Sequence, residues 1–110
     1  MSMAARLHNQ FGGSGKTWSV DVTGKTSVYV PDPCGCMLLS GTAVIDTITA
    51  STSSRNRRVL FIQTGTGGTN FIDSTTIKIA TGGVTLSQNT CAEFFYNQDG
   101  IWYMISTTPQ

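Results

Sequence analysis

Charge is what this chain has least of. Asp, Glu, Lys and Arg make up 12% of its 110 residues, about half the ~25% usual in soluble proteins. It holds a single histidine, His8, and a single glutamate, Glu93. A Ser-His-Asp triad or a pair of catalytic carboxylates would have to be drawn from that inventory. His8 sits near the N-terminus, and several of the five aspartates sit in turn sequences, so no catalytic constellation is expected. Apolar runs are short as well. Cys36-Met37-Leu38-Leu39 is typical, far below the ~20 residues of a membrane-spanning helix, and no membrane partner is expected. The net charge of +1 provides no basic excess to neutralise phosphates, which argues against nucleic acid. Ala, Glu, Lys, Leu and Arg are too scarce for a coiled coil or helical bundle. Disorder is excluded from the other side, because the chain is 39% hydrophobic at low net charge.

What is present is Thr, Ser and Gly: 17, 11 and 12 residues respectively. Thr is at home in strands, and no long window shows helical periodicity. Trp18, Val20 and Val22 alternate with Ser19 and Asp21, and Val28 and Val30 flank Tyr29. Such period-two patterning predicts strands. They are expected over 17–22, 28–30, 36–39, 43–49, 58–63, 69–72, 76–80, 84–86, 91–96 and 101–106. Gly65-Thr66-Gly67-Gly68, Gly82-Gly83 and Asp99-Gly100 supply turns between them. Asp-Gly between two aromatic-rich runs predicts a hairpin with a type I′ turn. The fold expected is all-β: a jelly-roll-like β-sandwich or prism of about 8–10 short strands.

Residues 1–15 differ from the rest. They show no period and end in Phe11-Gly12-Gly13-Ser14-Gly15, a flexible joint by composition. The division expected is an extended N-terminal arm over 1–15 and a single β domain over 16–110. Met1, Met3, Leu7 and Phe11 give the arm apolar residues with which to order on a neighbouring subunit. No apolar stretch of signal-peptide length is present. With three cysteines, an odd number, the chain is expected to be made in a reducing cytosol.

Several motifs imitate chemistry. Gly13-Ser14-Gly15-Lys16-Thr17 resembles the end of a phosphate-binding loop, but Gln10 stands where that loop needs its first Gly. A helix should also follow, and the alternating Trp18 to Val22 follows instead. Cys34, Cys36, Cys91 and His8 total four potential zinc ligands, but the Cys pair is separated by one residue and has no second pair. Neither metal nor cofactor is expected.

Arg55, Arg57 and Arg58 form the one basic cluster, read as a loop entering a strand. They are candidate interface residues, since Arg is enriched at interfaces. Phe94, Phe95, Tyr96, Trp102 and Tyr103 place aromatics on both faces of the Asp99-Gly100 hairpin. One face is expected to meet the core. The other needs a sheet, a subunit or a ligand, because a large exposed apolar patch is costly. Trp102 and Tyr103 are therefore assigned to a protein interface, with sugar stacking on Trp102, Tyr103 or Trp18 as the alternative.

The order of segments over 48–106 resembles a β-rich module of tailed-bacteriophage virion proteins, found in tail fibres, tailspikes and small head-associated proteins. The residues that carry it are Arg57-Arg58-Val59-Leu60-Phe61-Ile62, a Gly-Thr loop, Asn70-Phe71-Ile72-Asp73, Ile77-Lys78-Ile79-Ala80, Val84-Thr85-Leu86 and Phe94-Phe95-Tyr96-Asn97. Gly100-Ile101-Trp102-Tyr103 closes the series. Asn56 stands where the module has Gly, and Met104 where it often has Glu. The resemblance implies a non-enzymatic structural protein of a phage particle, oligomeric as a dimer or trimer. At this size it implies a capsid decoration or cement protein rather than a full fibre. The partner expected is the major capsid protein. The location is the capsid exterior of the virion, with the host cytoplasm during assembly. A tail fibre, tailspike or receptor-binding subunit is the second expectation.

Overall fold

A computed structural model of the chain describes residues 16–107. Eleven strands make up nearly all of its regular structure. They are β1 (Thr17–Asp21), β2 (Ser27–Val30), β3 (Cys36–Ser40), β4 (Ala43–Ile45), β5 (Thr47–Ala50), β6 (Arg57–Gln63), β7 (Thr69–Ile72), β8 (Ile77–Lys78), β9 (Gly83–Leu86), β10 (Cys91–Tyr96) and β11 (Trp102–Thr107). One 3-10 turn, Thr52–Ser54, precedes β6.

The chain winds as a coil of parallel rungs. β1 pairs in parallel with β3, and β3 with β6. β2 pairs in parallel with β5, and β4 with β7. The three stacks form three walls, and a residue meets its counterpart on the next rung after roughly 20–25 residues, the scale of solenoid repeats. Thr17 lies against Cys36 and Cys36 against Leu60. The last segment then reverses. β9 runs antiparallel to β7, β10 antiparallel to β6, and β11 antiparallel to β10. β11 meets β8 in parallel at the far edge of the first wall.

The expectation of an all-β fold holds, but the jelly-roll arrangement does not. A jelly roll is built from antiparallel strands, whereas five of the eight strand pairings here are parallel. The reason is chemical. Cys36 to Leu39 and Val59 to Ile62 are apolar on both faces, the pattern of strands covered on both sides in parallel sheets. The 43–49 strand is two strands, β4 and β5, broken at Asp46. Asp46 is a corner: its N–H donates to Thr26 O at 2.9 Å, and its carbonyl accepts from Ser74 Oγ at 2.7 Å.

The β10–β11 hairpin forms where expected, with a different turn. Gly100 N–H donates to Asn97 O, Asn97 N–H donates to Ile101 O, and only Gly100 has positive φ. This is a longer loop ending in a left-handed glycine, not a two-residue type I′ turn.

One core extends from Val22, Val28 and Val30 of the first rung through to Trp102 of β11. Phe61, Phe71 and Phe94 meet pairwise with centroids 5.2–5.5 Å apart. Trp102 is fully buried against them and stacks on Tyr96 at 4.4 Å with an interplanar angle of 8°. Each such aromatic excludes 150–250 Å² from water, so this cluster dominates the burial that holds the rungs together.

Candidate functional site: the open end of the coil

The two ends of the coil differ. Toward the C-terminal end β9, β10 and β11 run in reverse beside the aromatic cluster, with β8 and β9 as edge strands of one partner each. At the other end β1 has one partner, β3, and β2 has one partner, β5. No described strand lies over this first rung, so its outer backbone edges are available for pairing.

Side-chain direction makes that end apolar. Trp18 and Val20 lie opposite Met37 and Leu39, which face the core, so they point into the coil. Trp18 is nevertheless 39% exposed, with no described strand stacked above it, and its indole N–H donates to Pro33 O at 3.0 Å. Tyr29, between buried Val28 and Val30, is 58% exposed. Trp18, Val20, Val28, Tyr29, Pro31 and Met37 line a cleft of about 400 Å³, with Lys25 at its rim. The cleft offers two aromatic faces, one cation and two free strand edges. It can bind a chain by strand addition and apolar contact.

A second groove, of about 410 Å³, lies along the stacked corners formed by Asp21, Thr23, Ser40, Gly41, Thr42 and Gly65 to Gly67. Its one carboxylate is already committed. Asp21 accepts from the Thr23 hydroxyl at 2.6 Å and the Thr23 N–H at 3.0 Å, and these bonds hold its pKa below the usual carboxylate value. This groove is a structural corner.

The residues singled out from sequence are dispersed. Met1, Met3, Leu7 and Phe11, with the arm over 1–15 and His8, lie outside the described residues. The arginines do not form one patch. Arg57 lies 3.9 Å from Asp32 as an exposed ion pair, a contact worth little on its own. Arg58 is exposed beside Phe95 on the opposite face of β6. Arg55 packs toward the β10–β11 turn, where a Cβ on Gly100 would lie 3.4 Å from its guanidinium. Trp102 belongs to the core; a side chain with no exposed surface offers no face to a partner or a sugar. Tyr103 is half-buried, and its hydroxyl donates to Asp99 Oδ2 at 3.0 Å. Trp18 and Tyr29 supply the exposed aromatic surface instead. The signal for Tyr29 was its place between two inward valines.

The cysteines do not converge either. Cys34 lies in the main core, while Cys36 and Cys91 lie together on the outer face of the first wall. Burial pushes the Cys34 thiol up to about 12 and the Cys36 thiol up to about 11, with the neighbouring Cys91 adding to the latter. Such thiols are poor nucleophiles and poor metal ligands at neutral pH. Among the described residues, no three His, Cys, Asp or Glu side chains gather closely enough to hold a metal. No described helix is long and apolar enough to cross a membrane. Comparison with protein-family models, with curated proteins and with solved structures finds no match.

Proposed function

We propose that this chain is a non-enzymatic structural protein of a phage particle that attaches to the shell through the open end of its coil. The observation that carries this reading is the apolar cleft at the N-terminal end of the coil, where Trp18 and Tyr29 are exposed beside the edges of β1 and β2. Placed on a capsid, β1 and β2 would continue onto strands of the major capsid protein, and Trp18 and Tyr29 would fill apolar hollows between its subunits. Binding only the assembled shell stabilises it by mass action and requires no chemistry. The resemblance over 48–106 supports the phage assignment, and the reading takes the protein as a head decoration protein, a dimer or trimer.

The test is co-sedimentation with empty shells. The double variant Trp18→Ser/Tyr29→Ser should bind at least about 10-fold more weakly at unchanged fold, since buried aromatic anchors dominate interface energies. Binding of the variant equal to the parent would overturn the role of the open end.

Parallel rungs favour a second reading. A coil with an open N-terminal end and reversed strands toward its C-terminal end suits the tip of a stacked fibre or tailspike. Gold-labelled antibody on intact particles separates the readings by marking heads or tails. Light scattering of the purified protein reports its oligomeric mass.

A further inference from the structure

Strand pairing assembles a row of side chains that no segment of the chain carries by itself. Arg58 of β6 lies opposite Phe95 of β10, Phe95 opposite Tyr103 of β11, and Tyr103 opposite Lys78 of β8. Their strand neighbours Val59, Phe94, Trp102 and Ile77 belong to the core. By alternation the four residues of the row therefore stand on the outer face of the first wall. Arg58 and Lys78 are exposed, and Phe95 and Tyr103 are half-buried. The row crosses four strands, about 14 Å at the usual strand spacing, with a cation at each end and two rings between them.

Both cations are unpaired. Among the described residues neither Arg58 nor Lys78 forms an ion pair or a side-chain hydrogen bond, and the ion pair of Arg57 with Asp32 lies on the opposite side of β6. Tyr103 is held by its hydroxyl, which donates to Asp99 Oδ2 at 3.0 Å, while Asp99 Oδ1 accepts from the N–H of Ile101 at 3.0 Å. That carboxylate fixes the ring and pairs with neither cation. Glu93, the next outward residue of β10, lies one row away, opposite Leu60.

We infer that this row binds single-stranded nucleic acid. Sheet faces with aromatic side chains on adjacent strands hold single strands by stacking bases on the rings, and flanking cations take the phosphates. Phe95 and Tyr103 are such a pair, and Arg58 and Lys78 stand where the nucleic acid enters and leaves the row. A neutral sugar would ask for side-chain donors and acceptors around the rings, whereas this row brackets them with charge. The net charge of +1 restricts the contact to a short one, two phosphates rather than a long track. Composition cannot reveal such a site, because its four residues come from four strands. The row is a different surface from the cleft of Trp18 and Tyr29, so the inference stands apart from the proposed function.

Fluorescence anisotropy of the whole chain with a labelled oligo-dT of ~8 nucleotides, within the usual site size, tests it. Log affinity should fall against log salt concentration with a slope of about −1.4, since single strands give about −0.7 for each phosphate contact. Arg58→Gln and Lys78→Gln, both at exposed positions, should each cut that slope by about half. Arg57→Gln removes the same charge from the opposite side of β6 and should leave binding unchanged. Phe95→Ala should weaken binding at least about 5-fold, the lower end of what one stacked base contributes; if it unfolds, the two exposed Gln variants decide. The duplex of oligo-dT with oligo-dA should bind more weakly than oligo-dT, because its bases are not free to stack. No binding of oligo-dT at low salt would overturn the inference, as would equal losses from Arg57→Gln and Arg58→Gln or equal binding of the duplex. A carboxylated oligosaccharide that binds more tightly than oligo-dT would overturn it in favour of a sugar site.

Discussion

The side-chain amide of Gln63 donates to the hydroxyl of Thr69 at 2.8 Å, with both residues fully buried, and ties the start of one wall to the end of another. The same amide also donates to Gly41 O at 3.2 Å, as does the Thr69 hydroxyl at 3.0 Å. Gln63 Oε1 accepts the N–H of Gly65 at 2.9 Å. One buried side chain therefore organises the corner of the third rung and anchors it to the corner of the second. Gln63→Leu removes the amide and leaves the part-buried Gly65 N–H without its acceptor, while Gly41 O keeps only the Thr69 hydroxyl. A loss of about 1–3 kcal/mol is expected for such orphaned groups, read as a lower midpoint in urea unfolding. Gln63→Glu should cost more, because it places a charge in the same dry site.

Corner stacking makes a sharp distinction among glycines. A Cβ on Gly41 would strike Thr23 Oγ1, and one on Gly67 would lie 2.7 Å from the backbone of Gly41. Gly82 has similarly positive φ, +92°, but open space around it. Gly82→Ala should cost only the left-handed backbone penalty of ~1–2 kcal/mol. Gly41→Ala and Gly67→Ala should be clearly worse, with thermal midpoints below that of Gly82→Ala. Equal midpoints for the three would contradict the close packing of rungs.

Asn56 has a φ of 65°, in the left-handed region. Asn is the residue after Gly that best tolerates this region. Asn56→Gly should leave stability within about 0.5 kcal/mol. Asn56→Val should lower it by ~1–2 kcal/mol, because a β-branched side chain resists left-handed φ. Differential scanning calorimetry on the two variants provides the comparison.

The hairpin turn predicts a pH profile with two sides. Asp99 is held below its usual pKa, chiefly by the N–H of Ile101 and then by the Tyr103 hydroxyl. Its contribution is present above the unfolded carboxylate value and is lost as pH falls through the lower folded one. Tyr103 is raised, chiefly by its bond to Asp99. Its contribution is present below the ordinary tyrosine value and is lost as pH rises through the higher folded one. Asp99→Asn should flatten the acid limb of stability against pH, and Tyr103→Phe the alkaline limb. Asp99 is exposed and Tyr103 only half-buried, so the changes should be small and best read by NMR titration of Tyr103 and Ile101. Unshifted titration in the parent protein would contradict the bond.

Period-two patterning located most strands because a half-buried strand leaves that mark on its sequence. Trp18 to Val22 and Val28 to Val30 are examples. It also marked the hairpin at Asp99-Gly100, though it missed that Asp99 keeps ordinary φ. Asp46 hid a corner inside one apparent strand, since its role depends on Thr26 and Ser74, 20 and 28 residues away. The candidate site was less legible. Arg57 and Arg58 are neighbours in sequence but lie on opposite faces of β6, and Trp102 reads as an interface aromatic but is the centre of the core.

The sequence by itself determined that the chain is all-β, where most of its turns fall, and which residues share a face of each strand. These follow from local sterics and from burial repeated every second residue. Only the tertiary structure decided that the strands stack in parallel rungs and that Trp18 and Tyr29 stand exposed at the N-terminal end of the coil. It also decided that Arg58, Phe95, Tyr103 and Lys78 share one row. Those depend on which strand meets which, and alternation carries no information about partners. Residues apolar on both faces, as in β3 and β6, were the one local hint, because only strands covered on both sides can keep such side chains from water.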